Sequence, residues 1–375
     1  MGILNSSAGI NSVVIAPDSF KGSMSARDVA ENIAAGWRSV RPGDQITLIP
    51  QADGGEGTLD AIEASVPGAV RRTVGSVTGP DGHPTAGVWL ELPGGVAVVE
   101  LAQCSGLPLM RGLDPLGATT RGLGEVIRSA IESGATSVII GLGGSATTDG
   151  GAGALAALGL SLTDSAGRPI ADGGAALVRL ATANRSAMIA APAGGVILLS
   201  DVVSPLLGET GAAAIFGPQK GASHAQVLLL DAALARFAAV LGGDTRTPGS
   251  GAAGGAGFGF TSVWGATILP GADYLATLSG LTEVIARADV LVTGEGRFDS
   301  QSLEGKVVGQ LLSLAARHAV RAGIIAGQVT AETTVWIASL TELAGSAEAA
   351  IADPGHWLRE AGAQSAVALC ASRNS

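Results

Sequence analysis

SVIIGLGGSATTDGGAGALAALG, residues 137–159, breaks an apolar run into glycines and then resumes as an alanine-rich segment. Val138, Ile139 and Ile140 run unbroken to Gly141, the pattern of a strand buried on both faces in a parallel sheet. The alanines after Gly151 predict a helix, so the glycines form a strand-to-helix junction. Gly141, Gly143, Gly144, Gly150, Gly151 and Gly153 permit close approach, while Ser145, Thr147 and Thr148 supply hydroxyls and Asp149 a carboxylate. Such a loop can aim backbone N–H groups at a phosphate. A tight turn closed by a capping Asp reads the same way.

The same unit recurs along the chain. Val13–Ile15 runs into Asp18, Ser19 and Lys21; Ile46–Ile49 runs into Asp53, Gly54, Gly55 and Glu56; Val196–Leu199 ends at Ser200 and Asp201; Val290–Val292 ends at Gly294, Glu295 and Arg297. In an open α/β sheet the ligand crevice lies beyond the carboxyl ends of the strands, so these polar loops are expected to converge.

Composition narrows the classes. The 375 residues are 47% apolar and 14% charged, enough for two domains with sizeable cores. No stretch reaches the roughly 18 uninterrupted apolar residues of a membrane span. Residues 1–11 lack a signal-peptide pattern, which predicts a cytoplasmic protein without a membrane partner. Cys104 and Cys370 are too isolated for a disulfide framework or thiolate metal site and read as small buried side chains. A net charge of −10 argues against nucleic acid, whose phosphates require a basic face. Of 22 basic residues only three are lysines, and Lys21, Lys220 and Lys306 all adjoin a glycine although glycine is 57 of 375 residues. A lysine at a glycine turn suits a mobile charge on a phosphoryl group.

Periodicity predicts helices over 25–40, 58–65, 119–133 and 224–241, with Trp37 in the core and a capping box at Ser25. Residues 71–99 change to a period of two, broken by turn signals at 79–82 and 93–95, and predict a β-meander. Residues 161–173 read as another hairpin, and 249–260 as a closely packed helix. His83 reads as an exposed loop residue. The fold expected is α/β: a Rossmann-like parallel-sheet domain over 1–75 and 270–375, joined by 115–150, with a mixed α/β domain over 76–114 and 151–269 inserted into it. There is no P-loop, because Lys306 follows SQSLEG and precedes valine; the glycines of GLGGSA, at 141, 143 and 144, lack the GxGxxG spacing, and there is no GxSxG or HExxH motif. Four histidines without metal spacing argue against zinc.

Taken together and in order, APDSFKGSMSA, ADGGEGT, GLGGSATTDGGAGALAALG, SDVVSPLLG with FGPQKGA, GAAGGAGFGF and TGEGRFDSQSLEGK resemble the bacterial type I glycerate kinases over nearly the whole chain. The resemblance implies phosphorylation of D-glycerate by ATP with Mg²⁺, most often to 2-phosphoglycerate, less commonly 3-phosphoglycerate. It also implies two α/β domains with the active site in the cleft between them. Thr148 stands where the family commonly has Asn, and Ser204 likewise, which bears on substrate geometry.

Phosphoryl transfer asks for positioning and charge neutralisation, so the candidate roles follow. Lys21, Lys220 and Lys306 are expected on the nucleotide phosphates or the glycerate carboxylate. Asp201 and Asp149 are expected as Mg²⁺ ligands or as acceptors of the substrate hydroxyl proton, with Asp18, Asp53 and Glu295 as alternates. Gly144 and Ser145, in the loop running to Asp149, would meet the transferring phosphate. Ser19, Gly54, Glu56, Thr148 and Ser204 complete the expected binding set. Arg297 fits either the substrate carboxylate or a salt bridge with Asp299 or Glu304. The partners expected are a nucleotide and a small acid, on a monomer or homodimer. A non-catalytic sugar-acid binding protein and a Mg²⁺-dependent phosphatase are the alternatives.

Overall fold

The computed structural model describes residues 10–303 and 307–370. Its strands, in chain order, are β1 Ser12–Ile15, β2 Gln45–Leu48, β3 Val70–Thr78, β4 Pro84–Leu92, β5 Val96–Glu100, β6 Ser137–Gly141, β7 Ser161–Thr163, β8 Thr182–Asn184, β9 Val196–Leu199, β10 Thr267–Leu269, β11 Val290–Phe298, β12 Arg321–Val329 and β13 Trp336–Ser339. They fall into two compact units, one comprising Met1–Ala52, Asp60–Ser65 and Leu275–Ser375, the other Asp53–Leu59 and Val66–Tyr274.

The first unit holds an all-parallel sheet of order β13-β12-β11-β1-β2. Apolar runs such as Val13–Ile15 and Val290–Val292 are buried on both faces, as a helix-covered parallel sheet requires. The helix Ala26–Val40 starts at Ser25, whose hydroxyl oxygen accepts from Asp28 N–H at 3.1 Å. Trp37 is fully buried in the core with Ile33 and Leu358, and its indole N–H donates to Asp44 at 2.9 Å. Truncating such a side chain to Ala costs about 3–5 kcal/mol.

The second unit is built on a six-stranded sheet of order β10-β9-β6-β5-β4-β3. The strands β5, β6, β9 and β10 are parallel, while β3, β4 and β5 form the antiparallel meander expected over 71–99. Here β6, the apolar run of the opening stretch, is hydrogen-bonded between β5 and β9. Residues 115–150, expected to join the terminal segments, therefore belong to the middle of the chain. A buried parallel strand reads alike in either sheet, so its neighbours were not legible.

Three elements differ from expectation. The segment 161–173 closes a tight turn with a single bridge, Thr163 to Pro169, and its strand β7 pairs with β8 instead. Strand β11 continues to Phe298, so Glu295 and Arg297 lie in a strand and not a loop. The helix Ala252–Trp264 is packed, as expected of 249–260, but opens with left-handed backbone at Ala253, Gly254 and Gly255. The helix His224–Leu241 is long and apolar enough to cross a membrane. In this unit it buries Leu230, Leu234 and Phe237 in the core and begins with a capping box at Ser223.

Candidate functional site

Three adjacent parallel strands of the second unit send their carboxyl ends into one open pocket of about 470 Å³. Past β5 come Leu107 and Pro108, past β6 come Leu142, Gly143, Gly144 and Ser145, and past β9 come Ser200 and Val202. Glu56, Phe216, Gln219, Lys220 and Ala253 close the lining. The location is the one parallel-sheet geometry dictates. Its floor depends on glycine: a Cβ on Gly143 would collide with Gly55 Cα, so the 141–145 and 53–57 loops meet backbone to backbone. Gly143 N–H donates to Gly54 O at 3.2 Å.

Lys220 is 2% exposed, yet its ammonium reaches the lining. It donates to Ser145 Oγ at 2.9 Å and to the Thr147 carbonyl at 2.5 Å. Burial lowers its pKa to about 7, partly opposed by the negative charge of Asp149. An ammonium can only donate, so Ser145 Oγ accepts from it and keeps its own proton free for the pocket. The pair presents a hydroxyl donor, with Gly143 and Gly144 beside it and a cation behind it. That is chemistry for an anion.

Asp149, expected as a Mg²⁺ ligand or proton acceptor, lies inside the loop among donors of its own backbone and of Thr120. It is fully buried and accepts four hydrogen bonds: from Thr120 N–H and Oγ1, Gly151 N–H and Gly153 N–H, at 2.8–3.2 Å. Desolvation raises its pKa and those bonds oppose the rise. Thr120 Oγ1 in turn receives Ala154 N–H at 2.9 Å, so one carboxylate ties the starts of two helices, Arg121–Glu132 and Ala152–Ala157. Three of those bonds converge on Oδ2 and one on Oδ1. Thr148 is likewise fully buried and absent from the lining, so its departure from the family's Asn lies in the core. Ser204 is half-buried, outside the lining, and its carbonyl accepts from Gly251 N–H at 3.0 Å.

Asp201 follows β9 and keeps an exposed side. Its Oδ1 accepts from Gly271 N–H at 2.8 Å, while burial first and the Asp53 charge second raise its pKa to about 6. Asp53 Oδ1 receives Gly55 N–H at 3.0 Å, and Glu56 is exposed at the lining. Asp201 and Asp53 thus form a pair whose mutual repulsion a cation would relieve. Among the described residues no cluster of three or more His, Cys, Asp or Glu stands ready for a metal.

In the first unit, Asp18 and Ser19 are mostly buried at the carboxyl end of β1, with Asp18 N–H bonded to Gly294 O of β11 at 2.8 Å. Lys21 is exposed and Glu295 half-buried. Arg297 is exposed and 3.8 Å from Asp299, the salt-bridge alternative. Lys306 and Glu304 lie outside the described residues. Sequence reading missed the apolar wall of Leu107, Pro108 and Phe216, and Gln219 beside Lys220; the FGPQK spelling, which sets Phe and Gln beside the flagged lysine, was the available signal.

Parallel strands ending in a glycine-lined anion pocket backed by a buried lysine define an α/β protein built to handle phosphoryl groups. Known proteins make the class particular. The chain is 43% identical over 332 residues to the glycerate 2-kinase of Escherichia coli K12, covering 86% of this chain and 87% of that one. It is 40% identical over 330 residues to the glycerate kinase of Bacillus subtilis 168, covering 86% of each. A crystal structure from Salmonella typhimurium LT2 assigned as glycerate kinase 2 superposes with a TM-score of 0.82 at 36% identity, covering 98% of this chain and 100% of that one. Residues 13–370 match the glycerate kinase family, and the chain belongs to it. It is a kinase, a phosphotransferase with an alcohol acceptor.

Proposed function

We propose that this protein transfers the γ-phosphoryl group of ATP to the 2-hydroxyl of D-glycerate. The observation that carries the reading is the Gly143–Ser145 loop backed by Lys220, in a chain of the glycerate kinase family. The choice of hydroxyl follows the Escherichia coli relative, named a glycerate 2-kinase. In this reading the Gly144 N–H and the Ser145 hydroxyl hold the transferring phosphate, and Lys220 supplies the charge behind Ser145. Those donors are in place before the reaction, which is what a loose, charge-spreading transition state asks of the protein.

Mg²⁺ would be held by Asp201 with Asp53, where burial first and the Asp53 charge second raise the Asp201 pKa. When bound there it would neutralise phosphate oxygens. Leu107, Pro108 and Phe216 offer an apolar wall to the pocket.

The test is ³¹P NMR of the purified protein with ATP, Mg²⁺ and D-glycerate, beside L-glycerate, glucarate and no acceptor. The expected product is a phosphomonoester resonance matching 2-phosphoglycerate with D-glycerate alone. A 3-phosphoglycerate resonance would overturn the choice of hydroxyl, and ATP left intact with every acceptor would overturn the activity.

A further inference from the structure

The carboxyl end of β5 carries a charged side chain that none of the motifs above singles out. Glu100 is 0% exposed. Its Oε1 accepts from Gly57 N–H at 3.1 Å and its Oε2 from Leu59 N–H at 3.0 Å, with Gln103 Nε2 donating to Oε1 at 3.3 Å. Gly57 (φ +90°) has no side chain to cap the helix Thr58–Ser65 that it precedes. Glu100 takes the place of that cap from more than forty residues away, and its negative charge suits a helix start.

The cap matters for what it holds. Between Asp53 and the helix lies the loop that bears Glu56, one wall of the pocket. Glu100 clamps the far end of this loop, and Thr58 Oγ1 donates back to Gly55 O at 2.7 Å. At the near end Gly54 O receives Gly143 N–H, so the 53–59 loop and the 141–145 loop are pinned to each other and to β5. A buried carboxylate is costly unless its oxygens are satisfied, and here the satisfied donors belong to one wall of the site.

We propose that Glu100 is a positioning residue of this site, a buried carboxylate that clamps loop 53–59 and thereby sets where Glu56 stands against the phosphate loop. Its kinetic consequence rests on the glycerate kinase reading; the clamp itself does not. Hydrogen exchange at the Gly57 and Leu59 amides, with kcat and KM for glycerate and ATP, tests it in Glu100→Gln and Glu100→Asp. In Glu100→Gln one oxygen becomes an N–H group facing a donor. Exchange at those two amides should accelerate at least tenfold, and kcat/KM for glycerate per folded molecule should fall at least tenfold. Glu100→Asp, which keeps the charge on a shorter stem, should recover part of both, and in a Glu56→Ala background Glu100→Gln should cost less than threefold. Exchange and kinetic constants within twofold of wild type in a folded variant, or a full tenfold loss persisting without Glu56, would overturn the proposal. If Glu100→Gln does not fold, Glu100→Asp decides by the same readouts. A wild-type protein that leaves glycerate unphosphorylated sinks the kinase reading, and amide exchange alone then decides the clamp.

Discussion

Lys220 sits where small changes in proton occupancy have large effects. With its pKa near 7, the native state loses this proton between about pH 7 and the ordinary lysine range, while the unfolded chain keeps it. The unfolded state then binds more protons, so the contribution of this group to stability is least below pH 7 and rises with pH up to the unfolded pKa. Denaturation curves from pH 7 to 10 should therefore show wild type gaining stability relative to Lys220→Met as pH rises. Activity should run the other way: kcat/KM should carry a basic limb that Lys220→Met lacks, and at pH 7 that variant should lose about a hundredfold, the scale of a preorganised donor. If Lys220 works through Ser145, the losses in Lys220→Met and Ser145→Ala should be strongly non-additive; additive losses would mean that the two act separately. Asp149 makes a contrasting prediction. Asp149→Ala orphans buried donors of Thr120, Gly151 and Gly153, each worth about 1–3 kcal/mol, so urea unfolding should show a loss of at least about 3 kcal/mol. An unchanged midpoint would mean that water replaces the carboxylate.

Among the elements, the loops of the pocket are held by steric fit. Gly143 has no positive φ, so its glycine is required by the approach of Gly55 alone. Gly143→Ala should cost about 1–3 kcal/mol of stability by overpacking and should weaken phosphate binding more than glycerate binding, read as separate KM values. The start of the helix Ala252–Trp264 offers the opposite case. Ala253 is left-handed, with φ 52°, and lines the pocket. That conformation costs a non-glycine residue about 1–2 kcal/mol. Ala253→Gly should therefore be neutral or stabilising in a thermal melt, where glycine in an ordinary helix costs about 1 kcal/mol. A Cβ on the neighbouring Gly254 would run into the Thr147 carbonyl, so the start of this helix packs directly on the back of the phosphate loop.

For the molecule as a whole, a nucleotide that binds only the folded protein must raise its melting temperature, by about 2.7 kcal/mol of added stability at a hundredfold excess over Kd. ATP should raise the melting temperature of this protein, Mg²⁺ should add to the rise, and Asp201→Asn should lose the Mg²⁺ increment while keeping the rest; a variant that keeps the increment removes Asp201 as the metal's holder. Much of this was readable in one dimension. Apolar runs at 13–15, 138–140, 196–199 and 290–292 are strands because burial on both faces leaves no polar position in them, and the glycines that follow mark strand-end loops. The six motifs in order already indicated the family. What a chain cannot spell is which distant group completes a local one. Asp149 reads as a loop carboxylate until Thr120, 29 residues away, is placed against it. Glu100 reads as the end of a strand until the amides of Gly57 and Leu59 meet it. Residues 115–150 read as part of the outer sheet until β6 is hydrogen-bonded between β5 and β9. By itself the sequence determined the elements, the strand-end loops and the family, because these depend on periodicity and on residue type at neighbouring positions. Only the tertiary structure decided which carboxylates face solvent and which are consumed as anchors, because burial and hydrogen-bond saturation belong to contacts between residues far apart in the chain.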